Sequence, residues 1–237
     1  MNKIRFGRII LFCTLLVIFM NACTSHNKIE LVEKNNFQVK LKYTVDDVEE
    51  TYMINNNKYG AAFAVTAKAL VDQLNLSSQE DKSGLVLQRQ ASLGSFSRNK
   101  DYSFNQKENY IRIVTSSEEL QDDIGDIREI ELSLYPPPKD REHQDYAERA
   151  KINGYYINLL IETFTPHSSD PVTNALYIFE EAPEDYPDTR TLEWGNVIYA
   201  YHYSADYEGV GNCTFTITPK HTPPKEKPDA PAAVRPD

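Results

Sequence analysis

Cysteine is scarce in this chain. It occurs three times in 237 residues, at Cys13, Cys23 and Cys213. A framework of several disulfides is therefore excluded, and stability has to come from a buried core. Long apolar runs are missing too. Nothing beyond Cys23 approaches the roughly 20 residues that a bilayer-spanning helix needs. There is no glycine-rich phosphate loop, and no serine stands between the paired glycines of a nucleophile elbow. The five histidines, His26, His143, His167, His202 and His221, make no i,i+2 or i,i+4 pair of the kind that ligates metal. Positive charge is short as well: 25 Lys and Arg face 35 Asp and Glu, for a formal −10. That disfavours nucleic acid and suits a basic partner.

The first tenth of the chain carries an address. Lys3, Arg5 and Arg8 precede a twelve-residue apolar run from Ile9 to Met20, which closes Met20-Asn21-Ala22-Cys23. A basic start and a run of this length suit a signal peptide and are too short to span a bilayer. A small residue followed by cysteine at the end of such a run resembles the lipobox of bacterial lipoproteins. Met20 and Asn21 depart from its commonest residues, whereas Ala22 and Cys23 fit. The resemblance implies a leader over 1–22, lipidation of Cys23, and acyl chains such as palmitate holding the protein to the envelope. Thr24 in place of an aspartate implies the outer membrane, with the protein facing the periplasm. The leader holds three of the basic residues and no acidic one, so the remainder would carry −13.

Beyond Cys23 the pattern predicts one α+β domain over 36–218, dominated by an antiparallel sheet with one or two packed helices. A polar linker is expected over 23–35 and a proline-rich, unpacked tail over 219–237. Two subdomains meeting near Pro136–Asp140 are the alternative. Alternation marks strands at 37–45, 85–90, 110–114 and 130–134. The 3/4 spacing of Phe63, Ala67, Leu70, Val71 and Leu74 predicts a helix over 61–76, after an asparagine-rich loop over 49–60. Residues 91–109 read as a loop. Ser116 or Ser117 is placed to cap a short helix through Leu120. Residues 140–150 read as a loop or short exposed helix. The nearly continuous apolar stretch from Tyr155 to Thr165 reads as a central strand, and Ala175–Phe179 as another. Two segments then form a hairpin: Val197, Tyr199, Tyr201 and Tyr203 alternate with Ile198, Ala200 and His202, and Cys213, Phe215 and Ile217 alternate with threonines.

Candidate chemistry is sparse. His202, Asp206 and Glu208 have ligating atoms close in sequence, but a polar hairpin turn is the commoner outcome. Asp122, Asp123, Asp126 and Glu129 lack the ligand order of a calcium loop. His167-Ser168-Ser169-Asp170 holds triad residue types side by side, which do not converge on one atom, and reads as a polar turn. Cys213 reads as a buried strand thiol, unless His202 reaches it to make a thiolate. No catalytic residue, metal site or cofactor is expected. The surplus is tyrosine, with 15 residues. Tyr199, Tyr201, Tyr203, Asp206, Tyr207 and Glu208 are the candidate partner-binding residues, because tyrosine serves protein interfaces well and the carboxylates suit a basic surface. Cross-strand packing inside the domain is the competing reading of the tyrosines.

The expected function is that of a non-enzymatic binding lipoprotein of the periplasm. Its most concrete form is an immunity protein that neutralises a toxin by protein–protein binding. A structural or assembly lipoprotein of the outer membrane is the alternative, followed by a hydrolase or a glycan- or small-ligand-binding lipoprotein.

Overall fold

The computed structural model describes residues 28–44, 48–57, 60–90, 98–104, 109–119, 121, 123–135, 146–178, 187–205 and 211–221. The expected leader, Cys23, Pro136–Asp140, residues 179–186 and the residues after His221 lie outside them.

Eleven strands form one sheet in the order β1-β2-β9-β10-β11-β8-β7-β6-β5, and a short β3–β4 hairpin joins it through β8. The strands are β1 (Lys28–Lys34), β2 (Gln38–Thr44), β3 (Ile54–Asn57), β4 (Gly60–Phe63), β5 (Leu87–Arg89), β6 (Asn99–Phe104), β7 (Tyr110–Thr115), β8 (Ile127–Leu134), β9 (Thr189–Trp194), β10 (Val197–Ala205) and β11 (Gly211–Pro219). Two antiparallel meanders, β5–β8 and β9–β11, meet where β8 pairs with β11. The β1–β2 hairpin attaches to β9, and β2–β9 is the one parallel pairing among the described strands. The protein is thus α+β and dominated by antiparallel sheet. Three helices among the described residues complete it: α1 (Ala67–Glu80), α2 (Tyr146–Phe164) and α3 (Ser169–Ala175).

Alternation decides which face is dry. Tyr199, Tyr201, Cys213, Phe215, Ile217, Ile130, Leu132, Ile111 and Ile113 occupy one face and are buried. α1 lays Leu70, Val71 and Leu74 on it, and α2 adds Tyr156, Ile157, Leu160, Ile161 and Phe164. Phe63 and Tyr52 meet Phe164 edge-on, with ring centroids at 4.7 and 5.1 Å. Thr66 caps α1 by accepting from the Ala69 amide at 3.3 Å. α2 is joined to the sheet by a buried amide network. Asn109 donates to Asn153 at 3.2 Å, Asn153 donates to the Tyr135 carbonyl at 2.9 Å, and the Tyr135 amide donates back to Asn109 at 2.8 Å.

Several expectations are corrected. Residues 155–164 are not a central strand. They end the long helix α2, whose buried stripe at 153, 156, 157, 160, 161 and 164 has helical spacing. Tyr155 and Leu159 are also half-buried, so the stripe is too broad for its period to stand out. That helix begins at Tyr146, inside the segment read as a loop or short helix. Ala175 ends α3 instead of opening a strand, and Tyr177 turns the chain at a φ of 51°. The segment 61–63 is strand β4, and α1 begins only at Ala67. β3 and β6 lie in segments read as loops, and β1 occupies most of the expected linker. Ser116 and Ser117 cap no helix. Their hydroxyls accept from the Asp126 and Glu119 amides and hold a loop. Pro219 is the last residue of β11, opposite Val197, and not the start of the tail.

The α2–α3 corner depends on one carboxylate. Glu162 accepts from the His167 amide at 2.7 Å, the Ser169 amide at 3.0 Å and the Ser169 hydroxyl. Burial pushes its pKa up, but these donors outweigh burial and hold it below the usual range. A depressed folded-state pKa adds stability that is full above the unfolded value of about 4.3 and is lost as pH falls through the folded value. Glu162→Gln is therefore expected to lower stability near neutral pH by on the order of 1 kcal/mol, since the group is largely solvated. Urea titrations of the two proteins should converge towards acid pH. A difference that stays constant from neutral to acid pH would show that the carboxylate charge is not what matters.

Candidate functional site

The three helices share one side of the sheet, so among the described residues the opposite face of β9, β10 and β11 has no covering layer. The pairing registers set its outward side chains in rows. One row runs Gln38, Thr189, His202, Thr214, Ser133, Tyr110. The next runs Lys40, Thr191, Ala200, Thr216, Glu131, Arg112, Asp101. A third runs Lys42, Glu193, Ile198, Thr218. The centre is therefore short, neutral and threonine-rich, and the charges lie to its sides. Local bonds hold the side chains in place. Gln38 donates to the Thr191 hydroxyl at 2.9 Å, and Thr189 Oγ1 lies 2.8 Å from His202 Nδ1. Arg112 Nε donates to Asp101 at 2.9 Å, and Lys220 Nζ lies 2.8 Å from Glu193.

The predicted tyrosine surface is on the other side. Tyr199 is 0% exposed and Tyr201 7%, and Tyr203 packs against the core. The packing reading of the tyrosines is the one the fold realises. The reason is the neighbourhood: the tyrosine side of β10 faces Leu192, Trp194 and Phe215, so it had to be the dry one. Tyr199 stacks on Phe215 at 5.8 Å and shares a hydrogen with Thr165 Oγ1 at 2.7 Å. Asp206, Tyr207 and Glu208 lie outside the described residues. The candidate surface that sequence reasoning missed is the Ile198, Ala200, His202 side with its flanking threonines. Its signal was available in the alternation, since these are the more polar partners of the apolar set.

Cys213 is a buried strand thiol. It accepts from the Tyr201 hydroxyl at 3.3 Å. Burial pushes its pKa up, against smaller opposing effects of Tyr201 and Arg190. His202 stands opposite Thr214 and so projects from the other face. The two therefore do not converge, and His202 is not placed to take the Cys213 proton. His167, Ser168, Ser169 and Asp170 make a turn and the start of α3, as a polar turn should. His167 contributes its backbone amide to Glu162, and Ser168 Oγ accepts from Trp194 Nε1 at 3.0 Å. Asp126 accepts from Asn55 at 2.8 Å. Among the described residues no three His, Cys, Asp or Glu side chains gather to hold a metal. A cavity between α1, α2 and the sheet, lined by Leu74, Leu87, Phe104 and Tyr156 among others, measures about 10 Å³, space for no more than one water.

Two cations lie on the buried side. Lys100 is fully buried, and its ammonium donates to the Glu119 carbonyl. Arg190 sits over the Tyr201 ring at 5.0 Å and donates to the Tyr177 carbonyl at 3.0 Å, while its Nε has no partner among the described residues. Burial lowers the Arg190 pKa. These groups tie loops to the sheet ends and open onto no cleft.

Comparison with family models, with curated proteins and with solved structures finds no match. The uncovered face carries the functional argument.

A buried, protonated thiol has a direct consequence. Iodoacetamide is expected to leave Cys213 unmodified in the native protein and to alkylate it in urea, as read by peptide mass. Rapid alkylation of Cys213 under native conditions would overturn its placement behind Tyr201.

Proposed function

We propose that this protein is a lipid-anchored binding module of the bacterial envelope that acts by covering a protein partner, and not by chemistry. Its most concrete form is an immunity protein that neutralises a toxin acting in the periplasm. The observation that carries the reading is the uncovered threonine-rich face of β9–β11. A broad, bonded, neutral platform buries against another protein at little cost in charge desolvation. Charges of both signs flank it: Glu131 stands opposite Arg112, Glu193 is bridged by Lys220, and Lys40 and Lys42 lie on the β2 side. The net charge of the chain, −10, favours a basic partner and speeds its approach. The lipobox-like Cys23 supports an address where an incoming envelope-degrading enzyme works. One or two further acyl chains beyond the first make such a tether stable.

Two variants test this reading. Thr216→Arg places a large cation at the centre of the platform, on a solvent-facing position where the fold tolerates it. It is expected to weaken binding to a secreted toxin whose gene adjoins its own by at least about tenfold, which corresponds to 1.4 kcal/mol. The thermal midpoint should stay unchanged. Undiminished binding by a folded Thr216→Arg protein would remove the face from the interface, and a purified toxin that never binds the parent would remove the immunity reading. Cys23→Ser is expected to keep the fold and move the protein from the membrane to the soluble fraction; a variant that still pellets with membranes would refute lipid anchoring.

A further inference from the structure

We propose that the β1–β2 hairpin is a second membrane contact, seated on the phospholipid surface directly beside the anchor. The inference rests on the lipid-anchor reading of Cys23 and adds a surface to it. Eight large apolar side chains are markedly exposed among the described residues, and four of them, Ile29, Leu31, Val32 and Phe37, fall within nine residues. Their concentration on one hairpin is what sets them apart from scattered surface apolars, which need no explanation. Leu31 is 58% exposed and Phe37 83%. Phe37 is held outward by a rigid turn: Asn35 Oδ1 accepts from the Phe37 and Gln38 amides at 2.8 and 2.9 Å.

Three observations choose a bilayer over other occupants. The first is reach. β1 begins at Lys28, so only residues 24–27 separate it from Cys23. Five Cα steps at no more than about 3.6 Å each put the strand within about 18 Å of the acylated residue. A hairpin on so short a tether stays within about 18 Å of the surface. The second is charge. The segment 28–42 holds Lys28, Lys34, Lys40 and Lys42 against Glu30 and Glu33, a basic spot on an acidic chain. Lys40 and Lys42 project from the face opposite Ile29 and Leu31, so the hairpin edge carries apolar side chains on one side and positive charge on the other, which suits a surface of anionic headgroups over acyl chains. The third is the bulge. The register slips between Leu31 and Glu33, leaving Val32 unpaired in the ladder. A bulge on an outermost strand spoils it as a template for another strand, whether from a second copy or from a partner. A fluid lipid surface needs no such register.

The test uses the full chain, purified from membranes and reconstituted in vesicles of phosphatidylethanolamine and phosphatidylglycerol, with and without brominated acyl chains. Intact mass first records the lipid on Cys23. Phe37→Trp places a fluorescent reporter at the hairpin turn. Leu76→Trp, on the exposed side of α1 by the opposite sheet edge, is the control, and the native Trp194 is buried and constant. Both sites are exposed, so neither change disturbs the core. Emission from the hairpin reporter is expected to shift to shorter wavelength on reconstitution and to be quenched by the brominated lipids, with the control indole on α1 unaffected. Lipidated Phe37→Trp protein whose hairpin emission stays unquenched overturns the docking surface and leaves the anchor standing. Shielding of the hairpin reporter in a dimer without vesicles assigns the hairpin to a second copy and overturns the membrane contact. A chain with no lipid on Cys23 overturns both readings.

Discussion

Two hydrogen bonds pin the helical layer to the sheet: Tyr199 to Thr165 at 2.7 Å and Trp194 to Ser168 at 3.0 Å. Both are buried, and both reach the corner between α2 and α3. A buried hydroxyl or indole N–H left unpaired costs about 1–3 kcal/mol, so the sheet's tyrosine side is committed to that corner. With the tyrosines committed, β9–β11 must turn their other side chains away from the helices. The free face is therefore a consequence of the core, and its threonines and His202 are what the alternation leaves over.

The best-read elements were those with one wet and one dry face. The β10–β11 hairpin lies where the pattern put it to within a few residues, and α1 keeps the predicted stripe of Ala67, Leu70, Val71 and Leu74 although it begins six residues later than expected. Elements that break their period went unseen for identifiable reasons. β6 carries Lys100 at a core position and Asn99, Asp101 and Ser103 beside it, so it reads as polar loop. β9 places Arg190 on its buried side and buries Thr191 on the other. Its turn was legible all the same. Gly195-Asn196 is a hairpin dipeptide, and Gly195 takes the left-handed φ of 60° that such turns demand. β1 is exposed on both sides and has no period to read. The candidate site was half legible. The hairpin and its two faces were right, and the assignment of the tyrosines to solvent was reversed, because one residue's parity decides between core and surface.

Cationic side chains in the core mark where sheet and loops are joined. Lys100 and Arg190 stand at positions that a simple apolar pattern would fill with leucine or valine. Each donates to a backbone carbonyl that no strand partner satisfies, Glu119 for one and Tyr177 for the other. Such bonds fix loops that apolar contacts alone would leave slack, at a desolvation cost that apolar replacements avoid. They belong to the architecture that holds β6 and β9 in register.

With a lipid on Cys23, as proposed, the short tether would constrain the geometry of binding. If the β1 edge rests on the bilayer, the sheet stands on that edge with its strands running along the surface. β10 then lies three strand spacings from β1, about 14 Å further from the lipid. The threonine-rich face would look sideways, parallel to the membrane, and neither towards it nor straight away. A partner held there would itself graze the bilayer surface. That placement favours toxins whose substrates are the membrane or the wall beside it, and disfavours partners that stay deep in the periplasm. A bare tether of a dozen residues would impose no such restriction, so under the proposed anchor the strand at Lys28–Lys34 is what would convert a tether into an orientation.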